Sequence, residues 1–261
     1  LMLAGLREIL IITTPAERPR FEALLGDGSQ WGLSLTYAVQ PRPEGLPQAF
    51  VIAEEFLQGG PACLILGDNF LYGDGLPRTL RKAATMDRGA TIFGYYVQDP
   101  RPYAVVSFDS RGRVETIEEK PQTPLSHYAL IGVYFFDADV VEMARGLTPS
   151  ARGELEITDL HRAYLARGDL RVELLGRGTA WLDTGTPRAL LEAARFVEVM
   201  ENRQGLKIAC PEEVAWRVGL IDDQALEQRV EEMPAGVYRD YLERVAGGIG
   251  RTAPHHGDPL P

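Results

Sequence analysis

The chain has 261 residues, 45% hydrophobic and 25% charged, with a formal net charge of −10 at pH 7. That is ordinary globular composition, with length enough for one large α/β domain or a domain plus a helical extension. The acidic balance does not suit sequence-independent binding to a phosphate backbone, so nucleic acid is not an expected partner. A small phosphorylated ligand needs only a local positive cluster.

The two cysteines, Cys63 and Cys210, form neither a disulfide framework nor a zinc-ligand spacing. A reduced, cytoplasmic compartment is the default for such a chain. No apolar run reaches the roughly 18 residues of a membrane helix, and no signal-peptide pattern is present, so no membrane association is expected.

In chain order, residues 1–5 read as the tail of a helix with Gly5 as its C-cap. Residues 8–14 are an apolar, β-branched run and predict a buried strand. Residues 18–25 predict a short helix, 33–40 an alternating strand, and 46–57 one amphipathic helix. The run 62–67 predicts a buried parallel strand. A helix over 76–86 and a strand over 90–97 follow. Strands alternating with helices imply right-handed crossovers and a largely parallel, Rossmann-like α/β sheet. The texture then changes. Strands at 104–108, 114–119 and 130–136 have little helix between them and form a small β insertion. Helices are predicted at 137–145, capped by Asp137 or Asp139, and at 158–167, capped by Thr158. Short strands at 171–175 and 179–182 precede a long helix, 187–202. The expected organisation is an α/β domain over 1–204, C-terminal helices over 205–246 and a disordered tail over 247–261.

Chemistry concentrates at strand ends. Leu64-Ile65-Leu66-Gly67-Asp68-Asn69 is an apolar run that ends in a carboxylate and an amide. In open α/β sheets ligands bind just outside the carboxyl ends of strands. Asp68 therefore reads either as a metal-binding carboxylate or as a turn residue. Trp181-Leu182-Asp183-Thr184-Gly185 repeats the pattern. Two such Asp side chains converging can hold Mg²⁺, which takes one or two carboxylates plus phosphate oxygens. Asp183 reads equally as a cap for the helix near Pro187. Glu118-Glu119-Lys120-Pro121 ends a strand. Charge there commonly marks a solvated edge. In the functional reading, Glu119 accepts from a hydroxylated ligand and Lys120 meets a phosphate. Arg152, in the loop before a helix, can grip a phosphate bidentately. Tyr103 lies at a strand start, where a hydroxyl lines a sugar pocket or a ring merely packs. No GxGxxG, Walker, HExxH or GxSxG pattern occurs, and the four His residues are not arranged as ligands.

Five stretches together resemble the glucose-1-phosphate thymidylyltransferase family of sugar nucleotidyltransferases. They are Leu25–Gly32 (LGDGSQWG), Leu66–Asn69 (LGDN), Glu118–Pro121 (EEKP), Ala151–Asp159 (ARGELEITD) and Trp181–Thr186 (WLDTGT). The resemblance runs from residue 1 to about 246. It implies the nucleotide-diphospho-sugar transferase fold and a reaction in which a glucose 1-phosphate oxygen attacks the α-phosphorus of dTTP, giving dTDP-glucose and pyrophosphate. It further implies Mg²⁺ on Asp68 and Asp183, a catalytic role for Lys120 and Arg152, and a homotetramer. Gln40 and Gly45 would lie at the nucleotide base. Tyr103, Glu119 and Lys120 would face the sugar and its phosphate, with Asn69, Ala104, Leu130 and Arg152 completing the substrate contacts. Two departures stand out: Ala104 replaces a family Gly and would crowd the sugar, and Ile131 removes a hydroxyl. The family's Gly-rich triphosphate loop would precede Leu1, so the 261 residues alone are expected to be inactive. The alternatives are a non-catalytic sugar-nucleotide-binding or assembly remnant, and a sibling enzyme using UTP.

Overall fold

A computed structural model describes residues 1–248 of the chain. From residue 249 onward the expected tail lies outside the described residues. The spine of the fold is β8 (Tyr128–Phe136), a nine-residue apolar strand buried at every position after the first. Its side chains alternate between two cores, as the period of a strand requires. Leu130, Tyr134 and Phe136 face Phe50 and two helices, α5 (Val140–Arg145) and α6 (Ile157–Ala166). Ala129, Ile131, Val133 and Phe135 face Trp181 and helix α4 (Leu76–Ala84).

One edge of β8 pairs antiparallel with β5 (Ala90–Tyr96). The other pairs antiparallel with β3 (Ala62–Ile65) at one end and β6 (Ala104–Phe108) at the other. Outside these, β7 (Val114–Glu119) runs antiparallel to β6, and β9 (Leu170–Leu174) runs parallel to β5. The mixed α/β class therefore holds, with strand directions unlike the expected largely parallel array. The crossover through α4 does make β3 and β5 parallel to each other. However, β8, returning from the 104–119 hairpin, inserts between them and bonds antiparallel to both.

Two further expectations change. The run at β1 (Glu8–Thr13) is half-buried, not buried. Its ladder partner is β2 (Ser34–Val39), in parallel register, and this two-stranded sheet makes no ladder to the β8 sheet among the described residues. The stretch after Asp68 is a strand in its own right. β4 (Asn69–Gly73) pairs antiparallel with β10 (Thr179–Asp183), placing Asn69 opposite Asp183.

Helix boundaries also move. The single helix expected over 46–57 is two, α2 (Gln48–Ile52) and α3 (Glu54–Leu57), because Ala53 leaves helical ψ at about 1°. Asp183 does not cap the long helix α7 (Pro187–Gln204); Thr186 Oγ1 does, accepting from Ala189 N–H at 3.2 Å. Likewise Thr158 lies inside α6, and Glu156 is its N-cap residue. Asp137 accepts from Asp139 N–H before α5 at 3.2 Å, and also from Gly89 N–H at 2.6 Å and Tyr164 OH at 2.6 Å.

The C-terminal helices α8 (Pro211–Arg217), α9 (Asp223–Glu232) and α10 (Val237–Ala246) close around their own core of Leu226, Tyr241, Leu242 and Val245. They dock on the Gly28–Gly32 turn. Trp31 Nε1 donates to Glu212 at 3.0 Å, and a Cβ on Gly32 would lie 2.4 Å from the Leu220 carbonyl oxygen. The LGDGSQWG stretch is thus a docking surface for the C-terminal helices. Among the described residues no helix is long and apolar enough to cross a membrane.

Candidate active site

The β4–β10 pair brings the two strand-end carboxylates together. A Cβ built on Gly185 would lie 3.0 Å from Asp183 Oδ1 and 3.3 Å from Asp68 Oδ2. Both oxygens therefore converge on a space kept open by the lack of a side chain there. Asn69 holds this end rigid. Its Nδ2 donates to Asp68 Oδ1 at 2.8 Å, while its Oδ1 accepts from Trp181 Nε1 at 2.7 Å and Gly132 N–H at 2.9 Å. Thr184 fixes the Asp68 backbone, donating from N–H and Oγ1 to the Asp68 carbonyl at 2.8 and 2.9 Å. Gly185 N–H donates to Asp183 Oδ1 at 2.8 Å. Two carboxylate oxygens beside an open space fit a small hard cation that completes its shell with water and phosphate oxygens. Among the described residues no group of three or more His, Cys, Asp or Glu side chains could hold a metal.

Next to the carboxylates stands an aromatic wall. The Tyr103 and Trp181 ring centroids are 4.9 Å apart, edge to face. Burial, reinforced by the Asp183 charge, raises the Tyr103 phenol above its ordinary pKa, keeping it a neutral hydrogen-bonding group. Tyr103 leads into β6, where Ala104 pairs with Glu119 of β7. The Ala104 methyl packs against the core cluster of Phe136 and Leu160. Lys120 follows in a left-handed conformation, φ 44°, and its N–H donates to the Tyr103 carbonyl at 3.1 Å. Such a conformation costs a non-glycine residue and marks sites where the surroundings dictate the backbone.

Arg152, in the loop before α6, reaches the same group. Its Nη2 lies 3.8 Å from Glu119 and 2.7 Å from Glu156. Burial, then the Glu156 charge, raises the Glu119 carboxyl pKa, with Lys120 and Arg152 opposing. The hydrogen bond from Arg152, with a second from Ser150, holds the Glu156 carboxyl below the usual range despite its burial. α6 also buries Thr158 and His161, and among the described residues neither ring nitrogen of His161 has a hydrogen-bond partner. The His161 ring stacks on Phe136 at 5.9 Å.

Gln40 and Gly45 lie in the turn after β2. Gln40 Nε2 donates to Gly45 O at 3.2 Å and to Gln48 Oε1 at 2.6 Å. This turn meets the Arg152 loop through a backbone bridge between Gly45 and Leu155. The structure thus links Asp68, Asn69, Asp183, Tyr103, Ala104, Glu119, Lys120 and Arg152 in one region, with Gln40 and Gly45 joined to its Arg152 side. Leu130 is the exception, its side chain 5% exposed in the core beside Ile157 and Tyr134. Ile131 is also buried, at 1% exposure in the opposite cluster, so the hydroxyl it lacks would have pointed into the core. Sequence reasoning missed three contributors: Trp181 as the partner of Asn69, Gly185 as the opening between the carboxylates, and Glu156 as the partner of Arg152.

Comparison with known proteins gives this region its context. A family model described as nucleotidyl transferase matches residues 1–199. A glucose-1-phosphate thymidylyltransferase of Xanthomonas campestris pv. campestris is 53% identical over 246 residues, covering 94% of this chain and 83% of the relative. The chain belongs to the glucose-1-phosphate thymidylyltransferase family of nucleotidyltransferases. The family member of Mycolicibacterium smegmatis is 52% identical, over 93% of this chain and 84% of its own length. Among solved structures, a Bacillus anthracis protein assigned as a glucose-1-phosphate thymidylyltransferase, crystallised in complex with a sucrose, superimposes with a TM-score of 0.65 at 36% identity. It covers 72% of this chain and 75% of the other. A UDP-glucose pyrophosphorylase complexed with UDP-glucose has the same fold, with a TM-score of 0.64 at 20% identity. Family membership makes the chain a nucleotidyltransferase.

Proposed function

We propose that the region around Asp68 and Asp183 transfers a thymidylyl group from dTTP to glucose 1-phosphate, releasing pyrophosphate. The observation that carries this reading is the convergence of Asp183 Oδ1 and Asp68 Oδ2 over Gly185, beside the Tyr103–Trp181 wall and the Glu119–Lys120–Arg152 group. Asp68 and Asp183 would hold Mg²⁺. When bound, that ion supplies positive charge to phosphate oxygens. The chain's own residues do the rest. Lys120 and Arg152 neutralise the sugar phosphate and hold its oxygen in line for attack, and Glu119 and the neutral Tyr103 hydroxyl bind sugar hydroxyls. Trp181 and Tyr103 exclude water on one side. Gln40 and Gly45 meet the base. Catalysis of this kind is chiefly positioning and charge stabilisation. A homotetramer in the cytoplasm completes the proposal; both cysteines are free, which suits a reducing compartment.

A pyrophosphate-release assay with glucose 1-phosphate and Mg²⁺, comparing dTTP with UTP, tests the reading. Turnover with dTTP well above UTP is the result that supports the reading, and it would overturn the expectation that the 261 residues alone are inactive. Preference for UTP would move the chain to the sibling class, and binding of both substrates without pyrophosphate release would make it a non-catalytic binder.

A further inference from the structure

Gly45 carries a constraint that contact with a base does not explain. Its φ is 112°, and a Cβ there would lie 2.1 Å from the Leu155 carbonyl oxygen and 2.7 Å from the Leu155 nitrogen. The two segments are in register as a parallel bridge, and Leu155 N–H donates to the Glu44 carbonyl at 2.9 Å. Leu155 is neighbour to Glu156, which holds Arg152 by two hydrogen bonds, 3.0 Å from Nε and 2.7 Å from Nη2. Ser150 Oγ steadies the same carboxylate at 2.6 Å. On the other side of the bridge, the Gly45 carbonyl accepts from Gln40 at 3.2 Å. One glycine therefore joins the turn that carries Gln40 to the loop that carries Arg152.

We propose that Gly45 is a positioning residue for Arg152: by admitting the Leu155 backbone it seats the arginine loop on the base turn and couples sugar-phosphate binding to nucleotide binding. The inference rests on the proposed roles of Gln40 and Arg152 as ligand groups. Glu156 occupies the Nε–Nη2 edge of the guanidinium, so Arg152 meets a phosphate through its Nη1 side, already aimed. A side chain fixed before binding loses less freedom on binding. A side chain at position 45 would strike backbone atoms, which cannot swing away, and would have to adopt a φ that L-residues avoid. The Arg152 loop would have to lift from the turn.

The test uses the full chain, its Gly45→Ala and Arg152→Ala variants and the double variant. Calorimetric titration measures glucose 1-phosphate with and without dTTP, and amide hydrogen exchange follows residues 150–156. Gly45→Ala should weaken glucose 1-phosphate binding by ~10-fold or more, add little in the Arg152→Ala background, and speed exchange at Leu155. Additive losses with Arg152→Ala, a loss confined to dTTP, or unchanged exchange at Leu155 would overturn the proposal. In the unsubstituted chain, dTTP alone should slow exchange at Leu155 and Glu156, and no slowing on bound dTTP would overturn it as well. If the unsubstituted chain binds neither substrate, the functional reading fails, and exchange at Leu155 in Gly45→Ala decides the packing claim by itself.

Discussion

The two ends of the candidate site are built differently. The carboxylate end stands on paired strands: Asp183 closes β10, Asn69 opens β4 opposite it, and hydrogen bonds from Asn69, Thr184 and Gly185 fix both Asp residues. The Arg152 end stands on loops, and its polar groups already pair with one another, Arg152 with Glu156 and Gln40 with Gln48. Asp183, on its strand, and Asp68, in the turn just before β4, present oxygens to an open space, whereas the loop groups offer a ligand only what their existing pairs leave over. Sites on regular elements are held more closely than sites on loops. The contrast assigns charge placement by paired strands to one end and ligand capture by pre-paired loop groups to the other.

Breaking the rigid end should give the larger effect. Gly185→Ala adds one methyl where two carboxylate oxygens converge, and no left-handed φ complicates the change. Turnover should fall by ~10- to 100-fold, with the melting temperature barely altered. An unchanged rate would mean that the space over Gly185 is not used.

A smaller effect tests the footing of the loop end. That end stands on α6, where burial lowers the fully buried His161 from the ordinary 6.5 to about 3, with a minor contribution from the Arg162 charge. Between those values the unfolded chain takes up a proton that the folded chain does not. The stability His161 allows is thus complete above pH 6.5 and declines as pH falls toward 3. The decline is about 1.4 kcal/mol per pH unit. His161→Leu should flatten that slope in thermal melts recorded from pH 7 to pH 4. An equally steep slope in the variant would place the acid sensitivity elsewhere.

Much of the fold was legible because apolar runs and turn residues state where strands and helices lie. Residues 8–13 and 128–136 show the limit. Both are apolar runs, yet β1 is half-buried and β8 is buried nearly throughout. The difference lies in neighbours: β1 has a ladder on one edge and β8 on both. A single sequence does not state neighbours. Nor does it state direction, which is why the insertion of β8 between β3 and β5 was not foreseen. In the site, Asp68 and Asp183 were legible as polar ends of apolar strands. The role of Asn69 as joint acceptor for Trp181 and Gly132 was not, since those partners are 112 and 63 residues away. The Gly45 constraint was equally hidden, because it depends on the backbone of Leu155.

The central claim is that Asp68 and Asp183 act as one cation site. Titrating Mn²⁺, as a spectroscopic substitute for Mg²⁺, into the full chain and its Asp68→Asn and Asp183→Asn variants tests it most directly, by water-proton relaxation in the presence of dTTP. One site in the unsubstituted chain, weakened ~10-fold or more by either substitution alone, is the predicted result. Equal Mn²⁺ affinity in all three proteins would contradict it.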